Sequence, residues 1–339
     1  MRGKVVTPDY AVCDVLGFGE TMLRFSPPAG GRLEDARTFE SYVAGTESNT
    51  LAGASRLGLR CAWISALPEN ALGRRVAGEL QRYGVDTRGV VWAHGPSRLG
   101  VFYAEESPAP AGPQVQYDRA GSAIALLDSD AVDLSILDTA RVLHLTGITP
   151  ALGPGAREVF QRLVQKARDA GVEISFDVNY RAQLWEAPEA TAGIEEVCRA
   201  ASLLICTRDD AATLWGFTGS AESVLRQVEE RFGAGKTIVM TLGSEGAAEL
   251  LGGKYDEAPA FPSEGKVRFG SGDAFAAGYL CAYLEGPGYK QVREVESAAT
   301  PLLFGNAVAA LKRCIAGDIA TITPKEVLGV LQKDEIRFR

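Results

Sequence analysis

Residues that could build a structural metal site are scarce in this sequence. It contains two histidines, His94 and His144, and six cysteines that are spread along the chain without a C-x-x-C pair. A structural zinc site needs four such ligands at short, regular spacings. The composition therefore argues against a zinc-binding fold, and we expect the cysteines to be free thiols in a reducing compartment.

Positive charge and long apolar runs are also scarce. The chain has 35 lysines and arginines against 43 aspartates and glutamates, a formal net charge of -8, and no block of basic residues breaks this balance. Surfaces that bind nucleic acid or anionic membranes need such blocks.

No apolar stretch is long enough to span a bilayer, and residues 1–15 lack the apolar core of a signal peptide. We therefore expect a cytoplasmic protein with neither nucleic acid nor a membrane as partner.

Two common nucleotide-binding motifs are missing. The chain has no G-x-x-x-x-G-K-[ST] sequence, which argues against a P-loop enzyme. Gly17-Phe18-Gly19 lacks the third glycine of the dinucleotide fingerprint, which argues against an NAD-dependent dehydrogenase. A phosphate-binding site in this chain must use a different turn.

From about residue 50 onward, short apolar runs alternate with amphipathic stretches. This alternation predicts an α/β fold, a single domain over residues 1–339 with a doubly wound, mostly parallel sheet flanked by helices. Ligands of such sheets bind beyond the carboxyl ends of the strands. We predict a helix over 154–171, and strands at 61–66, 141–146, 172–178, 202–206 and 236–241.

Two segments, at about residues 18–43 and 97–119, lack this alternation. Both contain short extended pieces around prolines and glycines, with no helical period. Long loops without structure are uncommon inside a compact domain. We therefore predict that the two segments pair as a small β-sheet, a lid over the mouth of the active site. The alternative is two separate surface loops.

The stretch Gly270-Ser271-Gly272-Asp273 precedes an apolar run over 274–284 that predicts a buried helix. Glycines let consecutive N–H groups converge on one point, and a helix N-terminus stabilises an anion there. The Asp273 carboxylate at this terminus could take the proton of a hydroxyl that attacks a phosphoryl group. The alternative is an ordinary helix-capping aspartate.

Several motifs resemble those of a known group of enzymes. FGSGDAFAAG resembles the C-terminal signature of the ribokinase, or PfkB, group of sugar kinases, and VAGTESNTLAGASRLG resembles its N-terminal signature. Three further motifs are similar to one branch, the 2-keto-3-deoxygluconate kinases: LHLTGITPAL (143–152), SFDVNYR (175–181) and YDRAGSA (117–123). The resemblance extends from Leu16 to about Glu326. It implies a ribokinase-like fold and ATP-dependent phosphorylation of the terminal hydroxyl of a sugar acid, most simply 2-keto-3-deoxygluconate.

The resemblance also implies a role for each matching residue. Asp273 would be the base, and the anion hole would comprise Gly270, Ser271 and Gly272. The substrate would contact Gly45, Thr46, Asn49, Phe102, Tyr117, Arg119 and Arg181. ATP would contact Thr207, Thr241, Gly243, Gly246 and Asn306. Asp210 would hold Mg²⁺ indirectly, through water.

Other interpretations of these residues stay open. A bidentate guanidinium matches a planar carboxylate, so Arg119 and Arg181 favour a sugar acid over a neutral sugar, but either arginine could form an exposed salt bridge instead. Thr207 and Asp210 could form a capping box. The glycines of the nucleotide loop could serve only a tight turn.

The chain departs from the family pattern at Val267, where the resemblance leads us to expect an aspartate. In relatives this carboxylate helps to place a metal or a monovalent cation near the phosphates, so a monovalent-cation requirement stays open here. The departure allows the alternative of a sugar-acid-binding homologue with weak catalysis. A second alternative, a kinase for another ketose or an inositol-pathway sugar acid, is distinguished by whether Arg119 and Arg181 matter. Lid sheets of this group often pair between subunits, which implies a homodimer through the lid.

Overall fold

The computed structural model describes residues 12–106, 112–265 and 267–337, and the side chains as far as residue 332. Within this part of the chain, nine strands form the central sheet in the order β13-β12-β11-β10-β9-β8-β1-β4-β5. Their bounds are β1 (Cys13–Phe18), β4 (Cys61–Pro68), β5 (Val85–Ala93), β8 (Ala140–Thr146), β9 (Glu173–Asp177), β10 (Leu203–Thr207), β11 (Thr237–Thr241), β12 (Gly246–Leu251) and β13 (Lys254–Pro259).

Adjacent strands from β5 to β11 pair in parallel, whereas β12 and β13 add an antiparallel edge. The inner parallel strands are mostly buried and largely apolar because helices cover both faces of the sheet, whereas the edge strand β5 is only partly buried. The predicted strands are confirmed within one or two residues at each end. Strand β1 lies between β8 and β4, with the chain running outward on both sides, so the predicted doubly wound arrangement is confirmed as well.

Helices pack on the two faces of the sheet over two apolar clusters. The predicted helix over 154–171 is confirmed, and Gly171 ends it with a left-handed φ of 68°. No helix in the described part of the chain is long and apolar enough to cross a membrane. The helices are α1 (Thr46–Arg56), α2 (Ala71–Arg82), α3 (Pro154–Ala170), α4 (Ala187–Ala200), α5 (Arg208–Trp215), α6 (Ala221–Phe232), α7 (Ser271–Tyr283), α8 (Pro287–Val295), α9 (Pro301–Lys312) and α10 (Pro324–Arg337).

A second, four-stranded sheet has the order β3-β2-β6-β7. Its strands are β2 (Met22–Ser26), β3 (Glu40–Ala44), β6 (Val101–Glu105) and β7 (Gln114–Asp118). The two segments predicted to pair do so through β2 and β6, which run in parallel, while the outer pairs are antiparallel. The predicted small sheet is therefore confirmed.

The bounds of the lid segments differ from the prediction in one place. Phe18 is the last residue of β1 in the central sheet, so the small sheet begins only at Met22. Residues 107–111 of the second segment lie outside the described residues. Residues 1–11 and 338–339 also lie outside the described residues. The single domain over residues 1–339 therefore stays a prediction.

Candidate active site

A cavity of about 480 Å³ lies between the carboxyl edge of the central sheet and the small sheet, which we call the lid. Its volume is in the range of small-molecule sites. Most of the predicted site residues line it: Gly45, Thr46, Asn49, Phe102, Tyr117, Arg119, Arg181, Thr207, Asp210, Thr241, Gly270, Gly272 and Asp273. Ser271, Gly243, Gly246 and Asn306 are not among the residues that line it.

Asp273 is the third residue of α7 and lies in the first turn of that helix. The side-chain amide of Asn49 donates a hydrogen bond of 2.7 Å to its Oδ2. Burial raises the pKa of Asp273 to about 6, although the Asn49 hydrogen bond and the charges of Arg181 and Lys312 act in the opposite direction. The carboxylate is therefore ionised at neutral pH and held in one orientation, as a proton acceptor must be.

The turn before α7 depends on Gly270, which has a left-handed φ of 75°. A Cβ at this position would lie 2.1 Å from the backbone oxygen of Asp318, so the turn also needs the missing side chain. The N–H groups of Gly272 and Asp273 belong to the first helical turn, where intrahelical acceptors are absent. They can donate to an anion in the cavity.

Ser271 contributes to this turn in a different way from the one predicted. Its backbone N–H and its Oγ both donate to the carbonyl oxygen of Arg268, at 3.3 and 2.9 Å. Ser271 closes the turn that presents the neighbouring N–H groups, while the Arg268 side chain, which sequence reasoning missed, lines the cavity.

Arg119 enters the cavity from the chain that follows β7. Its Nη2 forms an ion pair of 2.5 Å with Oε2 of Glu20, and both side chains are largely buried. The other carboxylate oxygen of Glu20 accepts a hydrogen bond of 2.6 Å from Ser122. Glu20 therefore fixes one edge of the Arg119 guanidinium. The salt bridge considered as an alternative for Arg119 exists, but it is buried and lies in the cavity wall.

Arg181 lies beyond the carboxyl end of β9 and is exposed. Its Nη1 donates to the carbonyl oxygen of Tyr180 at 3.0 Å. Its positive charge acts to lower the pKa of Asp177, Asp210 and Asp273, which places it close to the acidic part of the cavity. Arg119 and Arg181 also share a second cavity of about 370 Å³ that adjoins the first.

The N-terminal motif brings the start of α1 to the cavity. A Cβ on Gly45 would lie 2.2 Å from the backbone oxygen of Glu20, so only glycine allows this approach. Glu47 follows Thr46 and accepts hydrogen bonds from Thr146 and Thr149 at 2.8 and 2.5 Å. Burial raises the pKa of Glu47 to about 7. This carboxyl group joins the motif at 43–58 to the motif at 143–152, which sequence reasoning did not foresee.

Three acidic residues, Asp177, Asp209 and Asp210, line the end of the cavity nearest α5. Burial and the charges of Asp210 and Asp273 raise the pKa of Asp177 to about 7. Asn179 holds a left-handed φ of 41°, donates to Asp177, and leaves its buried Oδ1 without a hydrogen-bond partner among the described residues. This excess of negative charge and unpaired oxygen fits a hydrated cation.

The described residues contain no cluster of three or more acidic, histidine or cysteine ligands arranged to hold a metal directly. Magnesium usually keeps several waters and contacts few protein carboxylates, so an indirect site is consistent with this arrangement. Thr207 and Asp210 also form the capping box considered as an alternative: Thr207 Oγ1 accepts from the Asp210 N–H at 2.9 Å, and Asp210 Oδ2 accepts from the Thr207 N–H at 3.1 Å. The capping box orients Asp210 without removing it from the cavity.

Aromatic side chains cover the cavity on the lid side. The Phe102 ring packs against Tyr117 and Phe269, with centroids 5.4 and 6.5 Å apart. Phe102 brings no polar group to this wall, and its neighbour Tyr117 carries a hydroxyl group. Phe269 was missed, although it directly precedes the glycine turn.

Of the five residues predicted to contact the nucleotide, two line the cavity and three do not. Thr207 and Thr241 end neighbouring strands β10 and β11 and line the cavity. Gly243 lies in the turn between β11 and β12, and Gly246 is the first residue of β12, with φ values of 61° and 117°. Asn306 is buried in α9, and its amide donates to the carbonyl oxygens of Ala258 and Pro259 at the end of β13. The visible role of Asn306 is therefore to join α9 to the sheet.

Five of the lining residues that sequence reasoning missed are acidic: Glu20, Glu47, Asp177, Asp209 and Asp318. A signal was present for some of them, because Glu20 follows a buried apolar strand and Asp177 lies within the motif SFDVNYR. Their grouping depends on which strands are neighbours, which only the topology shows.

Comparisons with known proteins agree with this arrangement. The model of the pfkB family carbohydrate kinases matches residues 14–325. The chain is 38% identical over 319 residues to the 2-dehydro-3-deoxygalactonokinase of Haloferax volcanii, covering 94% of this chain and 96% of that protein. It is 30% identical over 327 residues to the 2-dehydro-3-deoxygluconokinase of Bacillus subtilis, covering 93% and 94%.

A crystal structure of 2-dehydro-3-deoxygluconokinase from Thermotoga maritima superposes with a TM-score of 0.83 at 27% identity, covering 94% of this chain and 98% of that one. The predicted ribokinase-like fold is thereby confirmed. Since the family model spans nearly the whole chain and the relatives match over nearly their full length, this protein belongs to the pfkB family of carbohydrate kinases.

Proposed function

We propose that the protein transfers the terminal phosphoryl group of ATP to the terminal hydroxyl of a 2-keto-3-deoxy sugar acid. One observation carries this proposal: a carboxylate base, Asp273, and two arginines, Arg119 and Arg181, line the same cavity. A neutral sugar would give the arginines no anionic partner. The names of the two relatives support a six-carbon acid of the gluconate or galactonate configuration.

The residues present account for the chemical requirements of the transfer. The attacking hydroxyl donates its proton to Asp273, which Asn49 keeps oriented. The N–H groups of Gly272 and Asp273 at the start of α7 face the phosphoryl group that is transferred, where the helix dipole also favours negative charge. Positioning and charge stabilisation of this kind account for most of the catalysis of phosphoryl transfer.

At the other end of the substrate, a guanidinium pair would bind the carboxylate. Because Glu20 occupies one edge of Arg119, the remaining edge is free to bind the acid without rearrangement. Arg181 is exposed and lines the same cavity, so its side chain can bind the same group. The planar fork of an arginine matches a carboxylate in two hydrogen bonds.

Magnesium, when bound with ATP, would neutralise phosphate charge at the acidic end of the cavity. Asp210 and Asp177 would hold its water ligands there, and Asn179 Oδ1 is an acceptor for one of those waters. Arg268, at the rim of the cavity, would contact the phosphates directly. Because the magnesium and the phosphates would lie at this acidic end of the cavity, we place the nucleotide near Thr207 and Thr241.

A coupled ADP-release assay with ATP and Mg²⁺ tests the proposal. It compares 2-keto-3-deoxygluconate and 2-keto-3-deoxygalactonate with gluconate, fructose and ribose, and uses Asp273→Asn as the blank. We expect turnover with one or both keto-deoxy acids and none in the blank. Turnover of fructose or ribose at an equal rate would refute the assignment of the arginines.

The same assay separates the proposal from a binding protein with weak catalysis, an alternative that Val267 supports. Calorimetric titration of the wild-type protein with 2-keto-3-deoxygluconate measures binding independently of turnover. Binding of the acid without ADP release under any condition would favour the binding protein and refute the kinase.

A further inference from the structure

Lys312, the last residue of α9, is fully buried, with 0% of its surface exposed. Burying an ammonium group is costly unless its charge and hydrogen bonds are compensated. Its Nζ donates a hydrogen bond of 3.1 Å to the carbonyl oxygen of Ile315. Burial lowers the pKa of Lys312 to about 8, while the negative charges of Asp318 and Asp273 oppose that shift. The ammonium group thus interacts with the catalytic carboxylate through the protein interior.

The loop at 313–318 supports the turn that precedes α7. The Val267 N–H donates to the carbonyl oxygen of Arg313 at 3.3 Å. A Cβ on Gly265 would meet that same oxygen at 2.2 Å, and one on Gly270 would meet the Asp318 oxygen at 2.1 Å. The two stretches of chain are therefore in backbone contact, and the position of the loop sets the position of the phosphate-binding turn.

A second buried cation acts on the same loop. Arg24, on lid strand β2, is 1% exposed, and its Nη2 donates to the carbonyl oxygen of Ala316 at 2.7 Å. Its Nε lies 3.0 Å from Oδ2 of Asp318. The guanidinium carbon lies 4.5 Å from the centroid of the Tyr42 ring and 4.7 Å from that of Phe269, which fixes its plane.

These contacts use the oxygens that a bound ion would need. Carbonyl and carboxylate oxygens from one loop are typical ligands of hard cations. Here the carbonyl groups of Ile315 and Ala316 and the carboxylate of Asp318 already face Lys312 and Arg24. Val267, which lines a small groove together with Arg24 and Ala316, offers no oxygen from its side chain. The residues present do not fit a monovalent cation at this position.

We propose that Lys312, together with Arg24, is a built-in cation beneath the phosphate-binding turn, and that it makes the phosphoryl transfer independent of monovalent cations. Lys312 is a positioning residue: it holds the loop at 313–318 under Gly270 and adds positive charge behind the site where phosphate charge develops. This inference rests on the proposed function for the choice of substrate, and on the fold for the placement of the charge.

The first test uses the wild-type protein at constant ionic strength and compares KCl, NaCl, NH₄Cl and choline chloride in the ADP-release assay with 2-keto-3-deoxygluconate. Choline is too large to enter a site built for a small ion. We expect kcat and KM to agree within twofold across the four salts. Activity that is lost in choline chloride and restored by KCl would overturn the proposal, whatever the behaviour of any variant.

The second test uses Lys312→Met, which keeps the length of the side chain and removes its charge. We expect kcat to fall at least tenfold with little change in the KM of the sugar acid, and NH₄Cl or KCl, but not choline chloride, to restore at least threefold. Unchanged kcat would overturn the positioning role, as would a loss that no small cation relieves.

Lys236→Met is the matched control. Lys236 is also a buried lysine whose Nζ donates to carbonyl oxygens, those of Cys198, Arg199 and Ala201. It directly precedes β11, at the end of the sheet opposite the cavity. This variant should lose stability in a thermal melt without any ammonium-dependent change in kcat. An equal response of both variants to ammonium would contradict a specific role for Lys312.

Binding of the non-hydrolysable nucleotide AMP-PNP with Mg²⁺, measured by calorimetry, separates this inference from the proposed substrate. If the wild-type protein fails to turn over either keto-deoxy acid, the proposed substrate is refuted. AMP-PNP binding then still measures the effect of Lys312 on the phosphate-binding turn. We expect its Kd to rise at least fivefold in Lys312→Met and to be equal in KCl and choline chloride for the wild type. An unchanged Kd in the variant would overturn the inference.

Discussion

Replacing Asn49 by leucine should move the acid limb of the pH-rate profile without abolishing catalysis. Asn49 donates a hydrogen bond of 2.7 Å to Oδ2 of Asp273, and this bond favours the ionised carboxylate. Leucine has nearly the same volume and no donor. In the wild type, the pKa of Asp273 is about 6, so the base is ionised above that pH and activity is lost as the pH falls through it.

The size of the shift follows from the strength of this bond. A hydrogen bond to a charged group contributes about 1.5–3 kcal/mol, and 1.36 kcal/mol corresponds to one unit of pKa, which gives a shift of about one to two units. The limb should therefore move upward to a pH of about 7–8. At pH 7 the ionised fraction of Asp273, and with it kcat/KM, should fall by about two- to tenfold, with most of the loss recovered at pH 9.

The assay is kcat/KM for the sugar acid between pH 5 and pH 9, in buffers of constant ionic strength. Thr50→Val is the control, because Thr50 Oγ1 donates to the backbone oxygen of Asp273 at 3.4 Å and does not contact its carboxylate. Its acid limb should stay near that of the wild type. A limb that also stays in place for Asn49→Leu would refute the reasoning.

A loss that is equal at every pH would refute it in a different way. Such a result would mean that Asn49 mainly binds a sugar hydroxyl, the role that the resemblance implied, and that its contact with Asp273 carries little free energy.

Four further predictions concern the substrate, the turn and the lid. Arg181→Ala should raise the KM of the sugar acid at least tenfold while calorimetry shows unchanged AMP-PNP binding. Equal losses of both would contradict the assignment of Arg181 to the substrate carboxylate. Glu20→Gln removes the charge that holds Arg119 and should raise the same KM several-fold with kcat nearly constant. Gly270→Ala should lower the free energy of unfolding in urea by about 1–3 kcal/mol, because alanine disfavours the left-handed φ; no loss would show that the turn can rearrange. Light scattering should give a dimer mass if lids pair between subunits, and a monomer mass would contradict that expectation.

Local patterns were sufficient for most of the fold. The strands and the helix at 154–171 were predictable because hydrophobic periodicity and helix-terminating residues can be recognised from neighbouring positions in the sequence. The lid was predictable only as a pair of segments that lack this pattern. Its start was placed too early, since Phe18 is apolar and extended in either sheet, and nothing local tells the end of β1 from the beginning of the lid.

Asn306 makes contacts that no motif foretold. Its nucleotide contact, which the resemblance implies, stays a prediction, and the structure shows its amide donating to two carbonyl oxygens of β13. A buried amide must satisfy its donors, and which acceptors lie nearby is set by how α9 packs on the sheet.

The sequence by itself determined the α/β class, the family and the position of the glycine turn before α7, because those depend on short-range pattern and on residues within a few positions of Asp273. Tertiary structure decided which distant charges meet. Arg119 pairs with Glu20. Lys312 and Arg24 both contact the loop at 313–318, and Arg24 is separated from Asp318 by nearly the whole chain. Electrostatic interactions depend on distance in space and on burial, neither of which is encoded in sequence spacing.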